Sequence, residues 1–205
     1  MDTFVIFSCV FGLFALCMWG LLLYTKNTVG SNSPLKVVRV YQIQDWQYFT
    51  KLDTLLSCYA IYVSFFGLKV TATTEISPSE NYPWLIYLIL VLLPIILLGM
   101  GIFSLTLTWN HWKYTKGVVL TTNPELHELN LNFAGHQLIL RDGDLEKIVV
   151  VSNASKLRFC YYTYYLTNGG HFSLSEKMPG IWVIQEYFKK VPVESRHDWY
   201  PYIGK

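Results

Sequence analysis

The chain has 205 residues, 52% hydrophobic and 15% charged, with a formal net charge of +2. Soluble chains average about 25% charged residues, so the composition excludes an ordinary soluble protein over the whole length, and the near balance of charge argues against a polycation built to neutralise nucleic acid. The deficit is uneven: residues 1–25 carry one charged side chain, Asp2, residues 81–112 carry none, and residues 113–205 carry 11 Lys/Arg against 9 Asp/Glu, the balance of a soluble domain.

The first apolar segment is 3–24 (TFVIFSCVFGLFALCMWGLLLY), 22 residues without a charge. As a helix it rises about 33 Å, enough for a hydrocarbon core of about 30 Å. It lacks a basic region before it and a small-x-small cleavage site after it, which reads as a retained anchor. A weaker segment, 54–70 (TLLSCYAIYVSFFGLKV), is bounded by Asp53 and contains Lys69 near its other end, placed to snorkel to an interface. The third, 84–109 (WLIYLILVLLPIILLGMGIFSLTLTW), is 26 uncharged residues bracketed by Tyr82, Trp84, Trp109 and Trp112. Such rings favour the membrane–water boundary. Pro94, Gly99 and Gly101 fall inside it, and Pro94 reads as a kink.

Charge bias orders these spans. Residues 25–53 carry Lys26, Lys36, Arg39 and Lys51 against Asp45 and Asp53; 71–83 carry only Glu75 and Glu80; Lys113 and Lys116 follow the last span. The positive-inside rule then places 25–53 and the C-terminal half in the cytoplasm and 71–83 outside. Three spans satisfy every segment, whereas two would leave basic residues on both sides. The expected division is a transmembrane region, 1–112, and a cytoplasmic domain, 113–205.

Cys9, Cys17 and Cys58 lie in apolar stretches and Cys160 stands alone in the polar half, so that domain has no internal disulfide and no Cys/His metal spacing. The polar half reads as repeated strand and turn. Strands are expected at 117–121 (GVVLT), 127–133 (HELNLNF, with Leu129, Leu131 and Phe133 on one face), 137–140 (QLIL), 145–151 (LEKIVVV), 156–167 (KLRFCYYTYYLT) and 171–175 (HFSLS). Asn168-Gly169-Gly170 predicts a hairpin with a type I′ turn. Helical spacing then takes over: Ile181, Ile184, Gln185 and Phe188 predict an amphipathic helix of about 10 residues, closed by Lys189-Lys190 and Pro192. The tail, 191–205, which holds Trp199-Tyr200-Pro201-Tyr202-Ile203, is expected to pack as an extended arm.

Strands closed by one helix is the order of a pleckstrin-homology-like (PH-like) domain, and the run YYTYYLTNGGHFSLS with a helix ending EYFKK resembles the late strands and closing helix of bacterial membrane-anchored PH-like proteins, over residues 110–190. The fold class this implies is an α+β membrane protein: transmembrane helices, then a PH-like antiparallel β domain with a C-terminal helix. The family has no catalytic signature to carry over. Basic residues that line the loop between the first two strands in phosphoinositide-binding members have no counterpart in 121–125 (TTNPE). The competing resemblance is to membrane-fused LytTR-type DNA-binding domains, which share an aromatic strand, a glycine turn and a helix. They would need one face to gather Lys156, Arg158, Lys177, Lys189 and Lys190, against a domain net charge of +2.

No catalytic, cofactor-binding or metal residues are assigned. Asp142-Gly143-Asp144 reads as a turn. His111, His127, His136, His171 and His197 are scattered without metal spacing, although His136 and His171 sit beside glycines in turns that folding can bring together. The sequon Asn153-Ala154-Ser155 would not be modified in the cytoplasm. The expected function is non-enzymatic: a multi-pass protein of the inner or plasma membrane that presents a docking or assembly module. Its expected partners are the lipid bilayer and another membrane or cytoplasmic protein, without cofactor, small-molecule substrate or nucleic acid.

Overall fold

A computed structural model of the chain describes residues 33–74, 83–133, 135–153 and 159–204, together with Ala15, Met18, Trp19, Leu22 and Thr25. Apart from the first four of those positions, the span expected at 3–24 lies outside the described residues, as do Lys156 and Arg158. The elements in chain order are β1 (Val40–Gln42), α1 (Asp45–Phe49), α2 (Leu52–Thr73), α3 (Pro83–Lys113), β2 (Val118–Asn123), β3 (Glu128–Phe133), β4 (His136–Leu140), β5 (Leu145–Ser152), β6 (Cys160–Leu166), β7 (His171–Ser175), α4 (Ile181–Tyr187) and β8 (Val193–His197).

Helices α2 and α3 form an antiparallel pair that is inside out by the standards of a water-soluble fold. The side chains that α2 buries are Thr54, Ser57, Ser64 and Thr71, while Leu55, Leu56, Tyr59, Tyr62, Phe65 and Phe66 are exposed. On α3 the same holds: Ser104 and Thr108 are buried while Leu88, Ile89, Leu92, Leu93, Ile95 and Ile96 face out. Only 17% of the most apolar window of α2 and 11% of that of α3 is buried. Ser57 Oγ donates to Ser104 Oγ at 2.6 Å near one end of the pair. Near the other, the Thr71 hydroxyl lies 2.9 Å from the carbonyl oxygen of Leu90. That carbonyl is the one that Pro94 leaves without a helical N–H donor, so the kink predicted at Pro94 is answered by a hydroxyl on the neighbouring helix. Gly67 makes the approach possible: a Cβ there would sit 2.9 Å from Pro94 Cγ. The segment read as 54–70 is thus one helix of 22 residues, about 33 Å long.

The strands build two four-stranded sheets, ordered β1-β2-β3-β4 and β7-β6-β5-β8. Alternation sends Val118 and Leu120 of β2, Leu129 and Leu131 of β3, Ile148 of β5 and Tyr164 and Leu166 of β6 into one core, which α4 covers with Ile181, Val183, Ile184 and Tyr187. Of the two faces expected on the aromatic strand, the one with Tyr162, Tyr164 and Leu166 packs inward. Gly180 opens α4 at φ 76°, and its Cα lies against the Tyr41 ring, so that an added Cβ would collide with the ring carbons.

Four details differ from expectation. First, the boundary expected at 112/113 is crossed: β1 pairs antiparallel with β2 (Val40↔Thr121, Gln42↔Val119), so the helix pair is inserted between the first two strands of the β domain instead of preceding it. A three-residue strand carries too little alternation to be seen, and only its distant partner defines it. Second, the described residues form eight strands, not six, and β8 runs parallel to β5, from Ile148↔Val193 to Ser152↔His197; the first part of the tail expected as an extended arm is this strand. Third, the 166–170 turn is a three-residue loop, not type I′. Gly169 N donates to Leu166 O at 3.0 Å, Leu166 N to Gly170 O at 2.8 Å, and Gly169 has φ 83°, whereas Asn168 stays at negative φ. This is the turn with a glycine bulge, and the Asn168 side chain accepts the Gly170 N–H at 2.9 Å instead of tolerating a left-handed backbone. Fourth, α4 spans seven residues, ending before Lys189 and Lys190.

Candidate functional site at the foot of the helices

The start of α2 and the end of α3 lie together against the β domain, where side chains from several parts of the chain interlock. Asp53, in the first turn of α2, is ion-paired with Lys177 in the connection after β7. Lys177 also lies over the rings of Tyr48 and Phe159, 5.1 Å from each centroid, and 3.5 Å from Thr108 Oγ1 on α3. Lys51 Nζ donates to the Lys177 carbonyl at 2.9 Å. Tyr48, fully buried on α1, donates to the Thr108 carbonyl at 3.2 Å. Burial pulls the Lys177 ammonium below the usual lysine range, partly offset by its hydrogen bond and charge contact with Asp53. Lys51 is lowered by burial and by the nearby Lys177 charge, and burial raises the Tyr48 phenol.

The last turns of α3 make the second half of the joint. His111 is 1% exposed; its Nε2 lies 2.9 Å from the Pro201 carbonyl and its Nδ1 3.0 Å from Ser175 Oγ. A carbonyl only accepts, so Nε2 carries the proton and Nδ1 accepts from the Ser175 hydroxyl, which in turn accepts the Lys177 N–H at 3.2 Å. Asn110 clips the 198–204 segment to the helix twice: its amide donates to the Ile203 carbonyl at 3.1 Å and its oxygen accepts the Ile203 N–H at 2.8 Å. Around this joint runs an aromatic collar of Phe49, Trp109 and Trp112, with Trp109 and Trp112 4.8 Å apart and Lys116 Nζ 4.7 Å from the Trp112 ring. Beside it opens a groove of about 640 Å³ between β1 and the β7–α4 connection, lined by Arg39, Tyr41, Lys51, Tyr162, Glu176 and Trp182 among others.

A family model described as a PH domain matches residues 40–176. The chain belongs to the PH-domain family. The match starts at β1 and ends with Glu176, just after β7, so it spans the strands β1 to β7 and the inserted helices and leaves out α4 and β8. No curated protein sequence and no solved structure matches the chain. The PH-like resemblance read from the late strands is thereby shown, and the LytTR-like alternative receives no support. Lys177, one of five residues that alternative needs on one face, is held in the joint by Asp53.

The insertion renumbers the strands of the PH domain. The loop 121–125 expected between the first two strands joins β2 to β3; the connection between β1 and β2 is the whole helical excursion, carrying Lys51, Lys113 and Lys116. The remaining expected candidates stay apart from the joint. Asp142 and Asp144 form a turn: Asp144 accepts the Arg141 N–H at 2.8 Å, and Gly143 has φ 91°. Asp142 Oδ2 lies 3.2 Å from His127 Nδ1. His136 and His171 are exposed on β4 and β7, in different sheets, and His171 stacks on Tyr165. Asn153 is buried and accepts the Phe159 N–H at 3.0 Å. Among the described residues no cluster of metal-ligating side chains occurs. The joint residues Tyr48, Asn110, His111, Ser175 and Lys177 carry no sequence motif. Their one legible signal is polar side chains directly flanking an apolar run.

Proposed function

We propose that this chain is an integral membrane protein whose PH domain is a non-enzymatic docking or assembly module, fixed at the membrane surface by a helix pair grown from its own β1–β2 connection. The observation that carries this reading is the inverted amphipathicity of α2 and α3: hydroxyl and glycine positions between the helices, leucine, isoleucine and aromatic side chains outside. Water makes that arrangement costly, at about 25 cal/mol per Å² of apolar surface, and a hydrocarbon solvent removes the cost. A cytoplasmic PH domain is the orientation that the positive-inside rule favours, given the basic residues Lys51, Lys113 and Lys116 at the foot and the acidic 74–83 connection. With 3–24 as a further anchor the protein crosses three times, dividing into a membrane region within 1–112 and a domain completed by 113–205. The mixed-charge groove beside the joint suits a protein partner, membrane-bound or cytoplasmic.

Two measurements test this. Reporters fused after Val70 and after Lys205 should fall on opposite sides of the membrane; the same side overturns the topology. Affinity capture of the full chain from detergent-solubilised native membranes should recover a stoichiometric protein partner; recovery of the chain alone overturns the docking role.

A further inference from the structure

The 198–204 segment does more than close the joint. It meets α3 first at the level of Phe103 and Thr106, in the apolar part of that helix, and runs from there towards the C-terminal end of α3, where it is pinned. Asn110 and His111 hold its backbone at Ile203 and Pro201. Tyr200 lies 4.9 Å, ring to ring, from Phe103, and its hydroxyl is 3.0 Å from Thr106 Oγ1. Trp199 packs its ring 5.4 Å from Phe103 yet remains 80% exposed.

The depth of these contacts follows from the helix. From Trp84 to Trp109, α3 rises about 38 Å, so a hydrocarbon core of about 30 Å centred on that stretch has its edge near Thr106. Phe103 lies about 5 Å inside that edge, and Trp109 about 5 Å outside it. The 198–204 segment therefore carries two aromatic side chains past the Trp109–Trp112 collar to the level where acyl chains begin. An indole exposed to water beside Phe103 gains nothing. At the acyl–headgroup boundary the same indole buries its ring and keeps its N–H in the polar layer.

Resting on the membrane reading above, we infer that the 198–204 segment is a lipid-contacting element, with Trp199 inserted at the acyl–headgroup boundary of the same leaflet that the joint faces. Its partner is the phospholipid bilayer itself. The notch of about 590 Å³ between Tyr200, Tyr202, Phe49 and α3, apolar on Ile102, Leu105 and Trp109, opens at this depth and takes an acyl chain from that leaflet.

The test compares the full chain and its Trp199→Phe variant in phosphatidylcholine vesicles with plain or brominated acyl chains, and with iodide in the water. The difference between the two proteins isolates the emission of Trp199, and the exposed site makes the variant neutral for folding. The expected result is a Trp199 component that loses most of its intensity to brominated lipid and resists iodide. A component quenched by iodide and untouched by brominated lipid, while the other tryptophans remain lipid-quenched, overturns the inference and leaves the membrane reading standing. A component reached by neither quencher overturns it in favour of a covering protein surface. Absence of lipid quenching at every tryptophan overturns the membrane reading as well.

Discussion

Replacing Thr71 by Val asks whether the helix pair is held by hydroxyls that answer orphaned carbonyls. Valine keeps the shape of threonine and removes the donor to Leu90 O, 2.9 Å away. The same hydroxyl lies 2.9 Å from Gly67 O on its own helix, so its single proton is shared. Interhelical hydrogen bonds in membranes are worth about 0.6 kcal/mol on average and up to about 1.7 kcal/mol. The Leu90 carbonyl belongs at the upper end, because Pro94 offers it no N–H and, in the membrane proposed above, hydrocarbon would offer it no water. The expected cost of Thr71→Val is therefore about 1–1.5 kcal/mol. Pro94→Ala restores an N–H to the Leu90 carbonyl, and in that background the same substitution should cost under about 0.5 kcal/mol. Any loss of packing against Gly67 enters both arms of the cycle and cancels. Equilibrium unfolding of the full chain in bicelles, followed by steric trapping, reads these differences. An equal cost of Thr71→Val with and without Pro94 would refute the assignment of Thr71 to the orphan carbonyl.

Asp53→Ala should destabilise the joint by about 2–3 kcal/mol, below the fully buried range because the pair keeps some solvent contact, and Asp53→Ala with Lys177→Met should recover most of it; thermal unfolding in detergent that shows no recovery would mean the ion pair is incidental. Gly180→Ala should lower stability by more than the roughly 1–2 kcal/mol of a left-handed residue, since the new methyl also meets the Tyr41 ring, and intrinsic fluorescence melting checks it. Tyr164 Oη is buried without a hydrogen-bond partner among the described residues, so Tyr164→Phe should be neutral or stabilising by about 1 kcal/mol. Burial raises the Tyr164 phenol well above its usual value. The folded state therefore keeps a proton that the unfolded chain loses above a pH of about 10, and stability should fall as pH rises past that point. Tyr164→Phe should flatten that alkaline slope, and an unchanged slope would exclude Tyr164 as a contributor.

Much of this molecule is local and was legible as such. Long apolar runs mark α2 and α3, because a helix fit to cross lipid needs length and apolarity and little else. The strands β2 to β7 are legible because period-two alternation is imposed by a core on one side, and Gly169 marks its turn whichever turn type forms. The hinge of the architecture was not local. Val40–Gln42 is three residues of strand whose identity depends on a partner almost 80 positions later, so the insertion of the helices into the β1–β2 connection exists only once β1 meets β2. The same distance hides the joint. Asp53 and Lys177, His111 and Pro201, Asn110 and Ile203 are ordinary polar residues until folding brings them together, and no spacing rule relates them. Thr71 and Pro94 are the intermediate case: a proline in an apolar run announces a carbonyl that needs a donor, but which helix supplies it depends on antiparallel packing. The sequence by itself determined what kind of solvent each segment tolerates, because hydropathy and periodicity are properties of neighbours in the chain. Tertiary structure alone decided that the apolar helices and the PH domain are one interlocked unit, because that depends on contacts between residues far apart in the chain.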